Sequence, residues 1–373
     1  SIIYNNSFFL KVYRKLDRII NPDVEIVQML TDKVGFDHVP RFMGTLEEHE
    51  EGQTPMVLVI LQELVPNQGD AWSYVTDSLK RMFERIRTQN HRVKLKPAVG
   101  SLSRPVAFAN IPEEVQMQLG GAHVERIELL GNRTAEMHLA LSSVYDDKDF
   151  APDNFSLHYQ RSLYSSLISL VRVNFDSLAS HLHKLEKHVR AEAEEVLGMR
   201  DEILERLKLI FSRKIDTLKI RTHGDYHLGQ VLFTGKDFYI IDFEGEPARS
   251  FSERRLKRSA LRDVAGMIRS FHYAAYSAYF QQEGMRKEES EYLDNWAEQW
   301  YHYASNFFMH NYLGKTMGTG VVPPNEEDFE ILIQTFLLEK AIYELGYELN
   351  NRPDWVLIPI RGIKYIMRKY RNG

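Results

Sequence analysis

One short β-rich insert constrains this chain more than any other feature. Residues 219–243 read as strand, loop, strand, turn, strand, whereas apolar spacing from about residue 72 to the C-terminus is otherwise helical. A fold for this chain must therefore seat an isolated hairpin inside a helical body. The insert contains RTHGDYHLGQVLF (221–233), and FYIIDFEGEP (238–247) follows. Polar groups at fixed spacing across loop and strand ends are the pattern of a chemical site rather than of a scaffold.

The segment before the helical body has a different pattern. IIYNNSFFLKVY reads as a hairpin turning at Asn5 and Asn6. NPDVEIVQMLTDKV starts a helix, with Asn21 as cap and Pro22 in the first turn. Two further strands, joined by an acidic turn, lead to Gln62–Val65, giving the order β-β-α-β-β. Beyond it, AWSYVTDSLKRMFERIRTQ and VERIELLGNRTAEMHLALSSV read as helices, with a basic, proline-containing loop over 90–112 between them. Residues 155–216 hold long amphipathic patterns divided near Gly198, and 314–325 reads as a loop. At roughly 150 residues per domain, 373 residues suggest two or three units. The pattern puts a small β-rich lobe at 1–65 and a large, mostly helical lobe at 66–373.

The insert has the parts that phosphoryl transfer from ATP requires: a carboxylate near the acceptor hydroxyl and oxygen ligands for the metal that carries the phosphates. Asp225 lies on a tight loop after Gly224, Gln230 follows five residues later, and Asp242 ends an apolar strand. The turn TGKD (234–237) folds the two strands together and brings Gln230 toward Asp242. Mg²⁺ prefers such hard oxygen ligands. Singly, Asp225 is equally a turn residue, Gln230 a surface amide and Asp242 a cap. The spacing of all three across one strand-turn-strand unit favours the chemical reading.

HGDYHLGQVL with IIDFEGEP resembles the aminoglycoside-phosphotransferase-like kinases, relatives of the protein kinases. GDYHLGQVL, DFEGEP, SERRLKRSALRDVAGMIRSFHYAA (252–275) and EKAIYELGYELNNRPDWVLIPIRGI (339–363) are similar to blocks of the maltokinase family, from about residue 1 to residue 370. The resemblance implies an α+β, bilobal, protein-kinase-like fold, with acceptor-binding helices over 260–373. It implies an enzyme that transfers the γ-phosphoryl of ATP to the anomeric hydroxyl of maltose, giving maltose 1-phosphate. The cofactors expected are ATP and Mg²⁺. Asp225 is the expected base; Gln230 and Asp242 are the expected metal ligands, with Glu244 as a further candidate. Other sugars, an aminoglycoside and choline are alternative acceptors, and a non-catalytic scaffold of a trehalose synthase fusion is the alternative of another class.

The same resemblance extends to both ends of the site. Lys11 takes the place of the kinase strand lysine that meets the α- and β-phosphates, and Glu25 is its candidate ion-pair partner. Glu63 and Val65, in the connector QELVPN, are placed beside the adenine. Tyr343, Tyr347, Asn350 and Trp355 are the expected sugar contacts, since such a pocket needs flat apolar faces and polar groups, and Glu246 is a candidate for a sugar hydroxyl. Without the resemblance, the tyrosines read more simply as an aromatic core stripe. The basic run Arg249, Arg254, Arg255, Lys257 and Arg258 reads either as a solvated face or as an activation-loop segment facing phosphate. Asp263 is expected to brace the catalytic loop, and His223 to orient it. Only SIIY precedes the first turn, so the chain is expected to be a fragment lacking the phosphate-covering loop, cut from a longer protein such as a trehalose synthase fusion.

Composition removes several other classes. There is no cysteine, so disulfides and thiolate metal sites are excluded, and a reducing cytoplasm is the expected setting. The net charge of −5 gives no reason to expect nucleic acid as a partner. Apolar runs such as MVLVIL are too short for a membrane span. The 14 histidines show no metal-ligand spacing, and no Gly-x-Ser-x-Gly elbow supports a hydrolase.

Overall fold

The computed structural model describes residues 1–89, 93–282 and 284–371. Residues 90–92 of the expected basic loop lie outside the described residues. The chain opens in a hairpin, β1 (Ile2–Tyr4) and β2 (Phe8–Val12), with Ile3 opposite Phe9. Its turn passes through Asn5 and Asn6 at φ +51° and +48°, a left-handed region that asparagine tolerates better than most residues. Helix α1 (Pro22–Gln28) starts where Asn21 Oδ1 accepts the Asp23 N–H at 3.0 Å. It widens into a π-helical turn over Met29–Val34 and stops at Gly35, φ +72°. Strands β3 (Phe42–Glu48) and β4 (Met56–Glu63) complete an antiparallel sheet of order β1-β2-β4-β3.

This sheet has its own small core of Tyr13, Val24, Val57 and Ile60. Ile26, Val27 and Leu30 face the other way, into the main core of the helical lobe. The α1 segment is thus apolar on both sides and joins the two lobes.

The helical lobe begins with α2 (Ala71–Thr88), capped by Asp70, whose Oδ1 accepts the Ser73 N–H at 2.8 Å. Next come α3 (Glu113–Leu119), α4 (Gly121–Ser142), β5 (Asp153–Asn154), α5 (Leu157–His181), α6 (Lys187–Gly198) and α7 (Arg200–Lys208). The insert supplies β6 (Leu218–Lys219), paired with β5, and the hairpin β7 (Val231–Phe233) with β8 (Phe238–Ile240). The chain ends in α8 (Phe251–Arg254), α9 (Leu261–Phe280), α10 (Lys287–Thr316), α11 (Glu326–Asn351) and α12 (Leu357–Arg371). Every residue of α9 from Asp263 to Tyr279 is buried, with α2, α10, α11 and α12 packed around it. Its polar groups need internal partners: Arg269 Nε donates to Glu344 of α11 at 2.9 Å. Among the described residues, no helix is long and apolar enough to cross a membrane.

Gly131 explains how α4 meets α10. A Cβ there would stand 2.3 Å from the carbonyl oxygen of Phe308, so the two backbones cross in direct contact. Gly131→Ala is expected to push the helices apart and destabilise the fold by about 1–3 kcal/mol. Urea unfolding checks this, and a near-neutral result would mean that the crossing relaxes freely.

Two buried histidines tie stability to pH. Burial, aided by Lys369, lowers His302 to about 4. Burial, then Arg269 and Arg361, holds His272 well below its usual range. Both stay neutral in the fold, while the unfolded chain takes up their protons near pH 6.5. Their contribution is therefore full above pH 6.5 and is lost as pH falls toward 4. At pH 5 the His302 share is about 2 kcal/mol. The Tm should fall between pH 7 and pH 5, and the fall should be smaller in His302→Gln.

Candidate active site

The HGDYHLGQ loop is tied down from three sides before any candidate side chain is placed. Ile220 and Arg258 exchange both backbone hydrogen bonds at 2.8 Å. Asp263, at the start of the buried helix α9, accepts the N–H of His223 at 2.7 Å and of Gly224 at 3.0 Å. His138 of α4 contacts the same Asp263 carboxylate at 3.2 Å. The His223 ring reaches the Ile241 carbonyl at 2.9 Å, joining the loop to the strand that carries Asp242. Gly224 has φ +87°, and a Cβ on it would lie 3.2 Å from the Cα of Gly245. A side chain there would pry the loop from the DFEGEP turn.

The β7–β8 hairpin then does what the spacing of the insert requires. Thr234 donates its N–H to Asp237 O at 2.9 Å, and Ile241 N–H continues the pairing to Gln230 O at 3.0 Å. Gln230 Nε2 donates to Asp242 Oδ2 at 2.9 Å. The strand ends at Ile240, two residues before Asp242, which adopts φ +67°. That left-handed turn is accessible to aspartate at modest cost and aims its carboxylate across the cleft at the small sheet.

Lys11 of β2 meets it there. Its Nζ lies 2.5 Å from Asp242, 2.6 Å from Glu244 and 2.8 Å from Asp23. Burial disfavours the ammonium, but Asp23, Asp242 and Glu244 together outweigh it and hold Lys11 well above its ordinary value. Burial raises Asp242, and Lys11, His223 and the Gln230 amide more than reverse this, leaving it below the usual carboxylate range.

Glu25 is not the partner of Lys11, and this corrects the expectation drawn from sequence. Its carboxylate is 2.7 Å from Arg255 and 2.9 Å from Arg221, both in the helical lobe. Asp23 occupies the expected place, 1% exposed, taking Tyr13 Oη at 2.9 Å and the Phe243 N–H at 2.9 Å besides Lys11. The reason is angular: two residues apart on a helix, Asp23 and Glu25 point about 200° apart. Asp23 in the first turn faces the sheet and the Asp242 loop, and Glu25 faces the other lobe. Its place beside the Asn21–Pro22 helix start was the one available signal.

Asp23, Asp242 and Glu244 offer ligand atoms within 4.8 Å of one another. This all-carboxylate set, with the Gln230 amide on Asp242, fits a hard divalent cation such as Mg²⁺. Asp23 was missed in the sequence, where a buried helix-start carboxylate reads as a cap.

Asp225 opens on the other side of the loop into a cavity of about 170 Å³ shared with Glu246, Arg249, Lys340 and Tyr343. Lys340, also missed, lies 3.4 Å from Asp225. Burial lowers it, but Asp225, Glu344 and Glu246 raise it further and keep it charged. It stands three residues before Tyr343, on the same helical face as the expected aromatic stripe. Glu246 pairs with Arg249 at 2.6 Å. Burial, then Glu246, push the Tyr343 phenol up.

The remaining expected sugar contacts stand apart from this cavity. Tyr347 is 46% exposed, and Arg352 lies over its ring at 5.4 Å and over Trp355 at 5.1 Å. Trp355 stacks on Tyr273 at 6.3 Å between centroids. Asn350 donates its amide to Gly346 O of its own helix at 2.7 Å. Glu63 and Val65 stand in the connector between the lobes, where Leu64 N–H bonds to Ser7 O at 2.8 Å and Asn67 donates to Val65 O at 2.9 Å.

The basic run after the motif is mostly structural. Arg254 donates to the carbonyls of Glu244, Pro247 and Arg249, shaping the DFEGEP turn. Arg255 pairs with Glu25 and Asp149, and Lys257 donates to Lys148 O at 2.8 Å. Arg249, Arg254 and Arg258 nevertheless line the cavity beside Asp225.

No protein-family model matches the chain. Over 329 residues it is 21% identical to a glucosamine kinase of Streptacidiphilus jiangxiensis, covering 87% of this chain and 61% of that protein. A stretch of 56 residues, 15% of this chain and 14% of the other, is 41% identical to a glucosamine kinase of Mycolicibacterium smegmatis. The chain thus spans about three fifths of the length of the first relative. A solved glucosamine kinase in complex with glucosamine, ADP and inorganic phosphate superposes with a TM-score of 0.73 at 18% identity, over 99% of this chain and 79% of that one. A second crystal form of a glucosamine kinase gives 0.72 at 18% identity, over 99% and 75%. The fold is therefore protein-kinase-like, with a small sheet lobe and a large helical lobe.

Asp23→Ala would strand Lys11 and Tyr13 in a buried setting and should cost about 3–5 kcal/mol. Asp242→Ala, at a carboxylate 35% exposed, should cost about 1 kcal/mol or less. Equal losses in urea unfolding would refute the structural role given to Asp23.

Proposed function

We propose that this protein is an ATP-dependent sugar kinase. The observation that carries the reading is the pairing of two half-sites across the HGDYHLGQ loop: Lys11, Asp23, Gln230, Asp242 and Glu244 on one side, and the Asp225 cavity on the other. The glucosamine kinase likeness, in sequence and fold, supports the same reaction class. ATP lies against the connector at Glu63 and Val65, with its phosphates reaching Lys11. Asp23, Asp242, Glu244 and Gln230 would hold Mg²⁺. When bound, that ion neutralises charge on the β- and γ-phosphates. Asp225 orients and accepts the proton of the acceptor hydroxyl. Lys340, 3.4 Å away, holds the Asp225 carboxylate at the cavity. A cytoplasmic setting, where ATP meets a reducing environment, is part of the same proposal.

A hexose is the acceptor class we favour, glucosamine first. The cavity of about 170 Å³ has room for about six waters, the scale of one sugar ring. Its paired groups, Asp225 with Lys340, Glu246 with Arg249 and Glu339 with Arg262, offer acceptors and donors to the hydroxyls of a sugar, and the glucosamine kinase likeness puts glucosamine first. Maltose is the second reading. It rests on the sequence blocks and on Tyr347 and Trp355, whose rings beyond the cavity offer a face for a second sugar. Association with a trehalose synthase domain belongs to that reading alone.

Phosphorus NMR with ATP, Mg²⁺ and either glucosamine or maltose tests the proposal. ADP and a new sugar-phosphate signal are expected, with turnover about 10²–10⁴-fold lower in Asp225→Asn. Wild-type turnover in that variant would remove Asp225 from the chemistry. ATP binding without turnover on any sugar would favour a non-catalytic role.

A further inference from the structure

Helix α4 carries two buried polar side chains, Thr134 and His138, that reach the surroundings of the HGDYHLGQ loop without lining the cavity beside Asp225. We propose that both are positioning residues for Asp225, and that Tyr312 of α10 fixes the His138 ring in the tautomer this role needs. The role deepens the kinase reading and rests on it for what Asp225 does.

The loop needs an outside hold. Gly224, immediately before Asp225, has φ +87°, a conformation that glycine enters easily and leaves as easily. Asp263 Oδ1 accepts its N–H at 3.0 Å, and Asp263 Oδ2 accepts the N–H of His223 at 2.7 Å. The placement of Asp225 thus depends on how firmly the Asp263 carboxylate is itself oriented. Among the described residues, His138 is the one side chain that hydrogen-bonds to it, through Nε2 at 3.2 Å.

His138 can donate there only with a proton on Nε2, and Tyr312 settles where that proton sits. Both side chains are fully buried. Burial, then Asp263, hold the Tyr312 phenol well above its usual range, so it keeps its proton. Among the described residues, its Oη has one hydrogen-bond partner, His138 Nδ1 at 2.9 Å. A proton on Nδ1 would leave the phenol hydrogen buried with no acceptor, the expensive outcome for a polar group. Tyr312 therefore donates, Nδ1 accepts, and the Nε2–H meets Asp263.

The second contact lies one turn earlier on α4. Thr134 Oγ1 donates to Leu130 O at 2.8 Å, which leaves its lone pairs to accept the Tyr226 O–H at 2.8 Å. Tyr226 directly follows Asp225. Helix α4 thus holds the backbone before Asp225 through His138 and Asp263, and the residue after it through Thr134. Gly131 supplies the closeness: it sets the α4 backbone against Phe308 O, and Tyr312, one turn beyond Phe308, comes within reach of His138.

Two measurements test this hold without any turnover. In the ¹⁵N spectrum of histidine-labelled protein, His138 should show a protonated Nε2 and an unprotonated Nδ1. In Tyr312→Phe, which removes only the hydroxyl, amide hydrogen exchange at His223 and Gly224 should quicken at least about tenfold more than at the core amides of α9. Kinetics with ATP, Mg²⁺ and glucosamine or maltose, whichever the wild-type protein turns over, adds a third readout. Tyr312→Phe and Thr134→Val should each lower kcat at least about tenfold and leave the KM of ATP unchanged, since the placement of Asp225 alone is altered. His138→Gln, whose amide can still donate to Asp263, should keep more of kcat than His138→Leu. The proposal is overturned by a proton on Nδ1, by exchange at His223 and Gly224 that merely follows the core amides, or by a kcat that neither Tyr312→Phe nor Thr134→Val lowers. A wild-type protein that turns over no sugar would refute the kinase reading alone, and the spectrum and the exchange rates would still decide whether α4 holds the loop.

Discussion

A lysine ammonium in the cleft, held by three carboxylates, is the contact on which the rest of this structure depends. Lys11 would be costly to bury alone, and so would Asp23. Together with Asp242 and Glu244 they make a cluster whose members come from β2, from the first turn of α1 and from the turn after β8. The two lobes therefore cannot be placed independently. Asp23 also takes the Phe243 N–H, so the same residue that neutralises Lys11 fixes the backbone that carries Asp242.

A second ionic layer lies behind the first. Glu25 binds Arg221 and Arg255, and Arg255 continues to Asp149. Arg221 is within ion-pair distance of Glu25 but lacks hydrogen-bond geometry to it, and its planar face rests on Phe150 at 5.0 Å. Buried charge of this kind adds little net stability. Its effect is to make α1, apolar toward both cores, settle in one orientation. Opposite it, Asp263 and His138 hold the HGD backbone from the buried helix α9. The loop with Asp225 is thus gripped by charge and hydrogen bonds on both sides, leaving its carboxylate facing the cavity.

Much of the framework was legible in the chain itself. The order β-β-α-β-β, the Asn5–Asn6 turn and the Asn21–Pro22 helix start follow from local steric and capping rules, which act within a few residues. The nearness of Gln230 and Asp242 was legible for the same reason, since a four-residue turn joins their strands. Asp23 and Lys340 were not. Their importance comes from contacts 220 and 115 residues away along the chain (Asp23 with the Phe243 N–H, Lys340 with Asp225), and no local pattern encodes such distances. The α11 side shows the same limit: helical spacing put Tyr343 and Tyr347 on one face, but not which of them would reach the cavity beside Asp225.

By itself, then, the sequence determined the elements, their order and the spacing of HGDxxxxQ with DFE, because backbone conformation and neighbouring side chains settle those locally. Tertiary structure alone decided that Asp23 rather than Glu25 meets Lys11 and that Lys340 meets Asp225. Those outcomes depend on which helix faces are turned together when the lobes pack. Burial then sets which charges must be paired.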